Sequence, residues 1–474
     1  MINKKVMAVA VASALAAPVA AFAQTSNVQI YGVFDMSVEQ LNFKSSTAIA
    51  TNKNAADAVG AQNHNDIYSQ SSRIGFKGTE DLGNGLKAWF QSENGNNVDG
   101  RQSVNTGSWA GRNSALGLEG GFGNVFMGIW DTPYKAALVS TMSPYGNGYL
   151  GHNGMLLGGG ADSTGTVPNL GTDCVGVVSS GNISNATTVC NQLEGNSTSF
   201  HRRMSNVIQY WSPTIAGFQG KVAYVGSGNA VDSTTSAATA SRTNRPGLWS
   251  MSLGYAAGPL ALGLAHERHR GFRATGSAAA QSASATITNS NDATDTGTLL
   301  TGSYDFGVVK AQLNYERLKY ASTDPSLYNT GANPSPILGD NGFTRNAWFL
   351  GLSAPIGNGK VLGGYSKTNG NQSCGSLGRS SAGVNVVAGT AGASVATDVG
   401  SYFCGSDTGA TAWTLGYEYS LSKRTGVYVT YMNVDNKAQA NFLPVVGKNV
   451  TNGGTVGATG QDLTAFNLGM KHSF

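Results

Sequence analysis

Residues 27–39 read NVQIYGVFDMSVE, and their side chains change character at every second position. One parity carries Val28, Ile30, Gly32, Phe34, Met36 and Val38, and the other carries Gln29, Tyr31, Asp35, Ser37 and Glu39. Because successive side chains of a strand point to opposite faces, the first set faces an apolar medium and the second faces water. The stretch therefore predicts a β-strand with one apolar and one polar face.

The same alternation recurs in pairs of segments joined by short turns. Around the turn at residues 81–85 (DLGNG), Ile74 and Phe76 lie on one face of the first segment, and Arg73 and Lys77 lie on the other. Further short turns are predicted at residues 120–123, 213–217, 256–259, 305–307, 355–359 and 420–424. Long polar segments separate the pairs at about residues 42–67, 94–110, 131–204, 227–246, 269–296, 321–343, 369–409 and 434–461.

The strands of a soluble β-sandwich also alternate, but the high strand count, the alternation of short and long connections, and the aromatic residues near strand ends favour a membrane barrel. Composition points the same way. Charged residues make up only 12% of the chain, whereas soluble domains contain about 25%. Beyond residue 23 no run of eighteen apolar residues occurs, and the structure other than a helix that satisfies every backbone group in lipid is a closed barrel. Aromatic residues gather near strand ends, as expected of interfacial rings, at Tyr210, Trp211, Trp413, Tyr417, Tyr419, Tyr428 and Tyr431.

We therefore predict an all-β fold, a transmembrane antiparallel β-barrel of about sixteen strands with short periplasmic turns and long external loops. The barrel domain covers residues 24–474, and residues 1–23 are predicted to be a cleaved signal peptide. Lys4 and Lys5 precede an apolar stretch, and Ala21 and Ala23 flank a small-residue cleavage site. The alternative, a retained membrane anchor, needs a longer apolar run.

The charge balance argues against a nucleic-acid partner. Loss of Lys4 and Lys5 lowers Lys plus Arg from 30 to 28 against 26 Asp plus Glu, so the net charge falls from +4 to +2. The four cysteines, Cys174, Cys190, Cys374 and Cys404, lie in loop segments of an exported chain, where disulfides are favoured over a metal site. Three connectivities are possible, and we prefer Cys174–Cys190 with Cys374–Cys404, because each pair then stays within one loop.

Several motifs resemble the general-diffusion porins of β-proteobacterial outer membranes. They are residues 27–35 (NVQIYGVFD), 72–86 (SRIGFKGTEDLGNGL), 112–120 (RNSALGLEG), 416–425 (GYEYSLSKRT) and 467–474 (NLGMKHSF). The resemblance implies a homotrimer of sixteen-stranded barrels in the outer membrane, in contact with lipid and lipopolysaccharide, through which small hydrophilic solutes and ions diffuse passively. It also implies that the terminal Phe474 is read by the outer-membrane assembly machinery.

The resemblance further implies an arginine ladder on the pore wall. Arg73, Arg112 and Arg203 match its positions, and Arg202 is a neighbouring candidate. Lys77 joins the pore lining because it shares the parity of Arg73, and a charge on the lipid face at mid-membrane costs about 2–4 kcal/mol. In the alternative interpretation, these arginines lie at the rim and only pair with loop acids.

The third loop, residues 131–204, is expected to fold into the pore. Its tip in the family resembles PEFGG, with the glutamate facing the arginines, whereas residues 144–148 here read PYGNG. Tyr145 thus replaces the acid, and Asp131 and Asp162 are the acids that could substitute for it. An arginine wall with fewer opposing acids attracts anions, so we expect weak to moderate anion selectivity.

Signals for other functions are weak. Residues 146–151 (GNGYLG) fit a dinucleotide motif but lack a following helix, and His266 and His269, three apart on a strand, point to opposite faces. We expect no catalytic residue, metal or cofactor. The alternatives are a solute-selective channel, for which the sequence displays no aromatic slide, an outer-membrane protease or lipase, and an adhesin or autotransporter.

Overall fold

A computed structural model describes most of the predicted wall and a part of the connections. The described residues are 27–45, 61–70, 72–96, 98–99, 110–140, 200–225, 247–270, 294–320, 343–370, 372, 384–387, 394–397, 409–437, 440, 442 and 460–474. Within them, no helix combines enough length with enough hydrophobicity to cross a membrane.

Strands make up almost all of this part of the chain. They are β1 Asn27–Phe43, β2 Gln62–Ser69, β3 Arg73–Gly83, β4 Leu86–Gly95, β5 Ser114–Gly120, β6 Gly123–Asp131, β7 Arg203–Trp211, β8 Phe218–Val225, β9 Gly247–Ala257, β10 Leu260–Arg270, β11 Thr294–Asp305, β12 Lys310–Tyr320, β13 Phe343–Ile356, β14 Gly359–Thr368, β15 Val384–Val387, β16 Ser394–Thr397, β17 Ala410–Ser420, β18 Thr425–Asn436 and β19 Leu463–Ser473. Among the described residues, one helix, α1, spans Pro133–Ser140.

The sheet closes on itself through β1. On one edge β1 pairs antiparallel with β19, from Val33 opposite Ser473 to Phe43 opposite Leu463. On its other edge it pairs with β3 and, further along, with β2. These two segments therefore form one interrupted wall strand, and the 17 strands of the sheet make a barrel of sixteen, which confirms the predicted fold class.

The two faces of the wall differ as the alternation predicts. In β19, Phe466, Leu468 and Met470 are 43–55% exposed, whereas Ala465 and Asn467, on the other parity, are buried. The exposed parity of the other strands is also rich in Leu, Ile, Val, Met and aromatic residues. The barrel thus presents a continuous apolar surface outward, as a lipid-facing wall requires.

All the predicted short turns join neighbouring strands at one end of the barrel. In the β3–β4 turn Gly83, Asn84 and Gly85 all have positive φ, at 87°, 53° and 78°. A tight hairpin turn that matches the right-handed twist of its two strands needs positive φ angles, which Gly and Asn adopt at little cost. The opposite end carries the long connections, which is the asymmetry expected of an outer-membrane barrel.

The structure corrects parts of the predicted loops. The segment predicted as loop 42–67 contains the strand β2, which begins at Gln62, and loop 369–409 contains the small hairpin β15–β16. Two predicted interface residues, Trp211 and Tyr428, belong to the inward face, and the Tyr428 hydroxyl donates to Asp35 at 2.7 Å. Strand pairing fixes the face on which each side chain lies, so an aromatic residue near a strand end can still point into the barrel.

Helix α1 opens the predicted third loop and lies against the inner wall. Thr132 caps it, since its hydroxyl accepts a hydrogen bond from the backbone N–H of Lys135 at 3.2 Å, and Pro133 occupies the first turn. Tyr134 donates its backbone N–H to the Ser250 hydroxyl and its own hydroxyl to Glu316, at 3.0 and 2.6 Å. Residues 141–199 lie outside the described residues, so the path of the whole loop stays a prediction.

Adjacent residues at the centre of β9 test the assignment of the two faces. Met251 is 47% exposed on the outer face, and Ser252 shares the inward parity of Ser250. We expect Met251→Arg to lower the free energy of unfolding by about 2–4 kcal/mol, because the charge enters lipid near mid-membrane. Denaturant titration of barrels refolded into vesicles measures this loss.

The matched control is Ser252→Arg, whose charge points into the water-filled interior and is expected to change stability far less. Equal losses in the two variants would contradict the assignment of these faces.

Candidate functional site: the inner wall of the barrel

The first ionic group on the inner wall is centred on Glu93 of β4. The Nε of Arg112 donates to Oε1 of Glu93 at 2.7 Å, and the Nε of Arg73 on β3 lies 3.6 Å from Oε2 of Glu93. The Tyr31 hydroxyl adds a hydrogen bond at 3.1 Å. One largely buried carboxylate thus holds two guanidinium groups that come from sequence positions 39 residues apart.

The second ionic group is centred on Asp131, at the end of β6. Its Oδ1 lies 3.1 Å from Arg203 Nε and 3.2 Å from Lys135 Nζ. Asn113 joins the partners, because its Nδ2 donates to Asp131 Oδ2 at 3.0 Å while its Oδ1 accepts from Arg203 Nε at 2.7 Å. Since Asn113 follows Arg112 directly, the two ionic groups are neighbours on one wall.

We call Arg73, Arg112, Arg203 and Lys135 the basic wall. Two carboxylates serve these four cations, and the three arginines keep contact with water, whereas Lys135 is buried. The side chains of Arg73, Arg112 and Arg203 are 32%, 18% and 14% exposed, against 9% for Glu93 and 18% for Asp131. The wall therefore presents net positive charge to the lumen.

Two other predicted pore residues have different surroundings. Lys77 is exposed on the inward parity of β3, and its Nζ lies 5.3 Å from the centre of the Tyr31 ring. Arg202 is buried, with Nη1 3.8 Å from Met204 Sδ, and interacts electrostatically with His269 of β10. Of the predicted arginines, Arg73, Arg112 and Arg203 thus lie in one region of the wall. Arg202 also interacts with His269 of β10, outside that region.

A buried polar group lies on the inner face of β10 to β12. His269 Nε2 and Glu267 Oε1 are 2.6 Å apart, and the ring of Phe200 stacks on His269 with the ring centres 4.3 Å apart. Glu267 and Glu316 are fully buried. His266 lies on the opposite parity and contacts Thr298 at 3.0 Å, so the two histidines do occupy opposite faces of the strand.

An aromatic cluster on the inner wall is the feature that the sequence analysis missed. Trp89 of β4, Phe126 and Trp130 of β6 and Trp211 of β7 meet with ring centres 5.0–6.2 Å apart. The sequence analysis found no aromatic slide along the pore, and it gave no indication of this compact cluster. The four rings come from three strands, and only the parity of widely spaced aromatic residues could have signalled the cluster.

Gly117 of β5 provides the space in which this cluster packs. A Cβ added there would lie 2.6 Å from Cε2 of Trp89 and 2.7 Å from Cβ of Phe126. The indole of Trp89 therefore lies against bare backbone, and its Nε1 donates to Asn124 Oδ1 at 2.9 Å. Both contacts fix the orientation of the ring on the wall.

The remaining predicted site residues are divided between described and undescribed parts of the chain. Phe474 exchanges two backbone hydrogen bonds of 3.1 Å with Gly32, and its ring lies 5.5 Å from that of Phe34. The chain terminus thus forms part of the closing seam. Outside the described residues lie Tyr145, Asp162, the predicted signal peptide and all four cysteines, so the predictions for them are unchanged.

A closed sixteen-stranded barrel with an apolar outer belt and charged groups on its inner wall is the architecture of an outer-membrane channel. The family model for Gram-negative porins matches residues 8–439. The chain belongs to this family and is a porin of the Gram-negative outer membrane. Family and fold are those of a channel.

Relatives and solved structures agree with this assignment. An outer membrane porin protein of Bordetella pertussis is 28% identical, with 88% of this chain and 91% of the relative covered. Outer membrane porin protein 32 of Delftia acidovorans is 27% identical over the full length of both chains. The anion-selective porin of Comamonas acidovorans superposes with a TM-score of 0.60 at 22% identity, covering 95% of this chain and all of that one, and so shares its fold.

The packing at Gly117 makes the aromatic cluster testable. We expect Gly117→Ala to lower the free energy of unfolding by about 1–3 kcal/mol, because the new methyl group displaces Trp89 and Phe126. Denaturant titration followed by tryptophan fluorescence measures the change. Gly363→Ala is the control, since a Cβ added at Gly363 has no neighbour within 4 Å. If both variants were as stable as the wild type, the described packing of Trp89 would be incorrect.

Proposed function

We propose that the barrel is a general-diffusion pore with a weak preference for anions, and that Arg73, Arg112 and Arg203 give it this preference. The supporting observation is the exposure of the inner-wall charges. The three guanidinium groups are in contact with water, whereas Asp35, Glu39, Glu267, Asp295 and Glu316 on the same inner face are at most 4% exposed.

Exposure matters because a charge in contact with lumen water acts directly on passing ions. A buried carboxylate acts through its paired groups, and Glu267 and Glu316 each have such a partner in His269 and Tyr134. Beside the basic wall, a passing anion therefore meets more cationic than anionic side chains that are in contact with water.

Glu93 and Asp131 keep the preference weak. Each accepts contacts from two cations, so together they offset about half of the charge of the basic wall. Asp131 lies on the basic wall itself, so it does not supply the opposing acid that the third-loop tip lacks. Because Tyr145 replaces that acid, the arginines determine the preference for anions.

The family resemblance also supports a homotrimer, disulfides within loops and a role for Phe474 in recognition by the assembly machinery. Phe474 is suited to such a role, because its side chain is exposed at the closing seam, on the same parity as Phe466 and Leu468. The mass of the detergent-solubilised protein, measured by light scattering, tests the trimer.

The selectivity proposal predicts the sign of a reversal potential. In a KCl gradient across a planar bilayer, the wild type should favour chloride. Arg112→Gln and Arg203→Gln should each lower the chloride-to-potassium permeability ratio, by up to about fivefold, since one charge near a passing ion contributes about 1 kcal/mol in water. The effect should shrink as the salt concentration rises.

The control is Lys423→Gln, which removes the same charge from the exposed β17–β18 turn and should leave the ratio unchanged. A wild-type pore that prefers potassium, or an equal effect of all three substitutions, would overturn the proposal.

A further inference from the structure

Trp89, Trp130 and Trp211 form a partly exposed aromatic surface inside the barrel, with the buried Phe126 beneath them. We refer to these four residues as the aromatic patch. The indole N–H groups of Trp89 and Trp211 donate to Asn124 and Gln209 at 2.9 and 3.0 Å. Both rings are thus held in place, and apolar ring surface is left in contact with lumen water.

Apolar surface in contact with water favours an apolar ligand, because burying it removes it from water. Large exposed apolar patches commonly mark binding sites. Flat rings further prefer a flat partner, since offset or edge-to-face aromatic pairs are more favourable than their buried area alone accounts for. The patch thus selects the shape of an aromatic ring over that of an aliphatic group.

Cations border the patch on two sides. Lys221 of β8 holds its Nζ 4.2 Å from the centre of the Trp211 ring. On another side Trp130 is followed directly by Asp131, which pairs with Arg203 and Lys135 of the basic wall. A ligand whose ring rests on the patch can therefore place a carboxylate near Lys221 or near the basic wall.

We propose that the patch and its bordering cations form a weak binding site for small aromatic carboxylates in the pore lumen. The site combines apolar surface with a few convergent charged groups, as small-molecule sites generally do. It rests on the proposed function, since solutes reach it through the pore, and it adds a preferred solute class to a channel that otherwise discriminates mainly by charge and size.

The test compares benzoate with cyclohexanecarboxylate, an anion of similar size and equal charge without an aromatic ring. Full-length protein in planar bilayers carries chloride current, and each anion is added to both sides. Benzoate should reduce the current saturably, with a half-blocking concentration about three- to tenfold below that of cyclohexanecarboxylate. Equal half-blocking concentrations would overturn the proposal.

Two variants locate the effect. Trp211→Leu and Trp130→Leu should each remove most of the difference between the two anions. Trp249→Leu is the matched control, because Trp249 is 50% exposed on the outer face of β9, and it should keep the difference. Loss of the difference in all three variants alike, or in none, would place binding elsewhere and refute the assignment.

Equilibrium dialysis of radiolabelled benzoate against the detergent-solubilised protein measures the same binding without any current. Competition by unlabelled benzoate at lower concentrations than by cyclohexanecarboxylate, and its loss in Trp211→Leu, would support the site. Absence of both would refute it. A wild-type protein that binds benzoate but carries no chloride current would refute the diffusion pore and leave the site, so the two proposals fail separately.

Discussion

Closure of the sheet through β1 makes every other feature of the barrel possible. In lipid, an unpaired N–H or C=O group costs several kcal/mol, so a sheet with free edges is not stable there. β1 removes both edges by pairing with β19 on one side and with β2 and β3 on the other. The hydrogen bonds between Gly32 and Phe474 complete this seam at the chain terminus.

Closure also creates the two environments that the side chains separate. Because parity is fixed once the strands are paired, a one-residue shift would exchange the lipid and lumen faces of a strand. The inner face can then hold polar and charged groups that lipid excludes, and groups of the same kind lie close together. The basic wall and the aromatic patch lie along β3 to β7, with Lys135 contributed by α1, and β10 to β12 carry buried acids and His269, on which α1 and Phe200 rest.

Much of this was predictable from the chain alone. Alternation in segments such as residues 27–39 and the turn at residues 81–85 predicted the strands, the short turns and a count of about sixteen. The inward parity of Arg73 and Lys77 also followed from alternation. The pairing of Arg73 and Arg112 with Glu93, the pairing of Arg203 with Asp131, and the aromatic patch did not follow. They join residues of different strands, whose relative heights depend on the register and tilt of the closed sheet.

The order of residues along the chain specifies which side chains face lipid and which face water, because a strand has a period of two and lipid rejects charge. It thereby determined that the chain is a barrel with polar loops at one end. Which inward side chains become neighbours depends on the folded barrel. Trp89 and Trp211 are 122 positions apart in the chain. The register of β4 to β7 and the space at Gly117, where no side chain is present, bring their rings into one cluster.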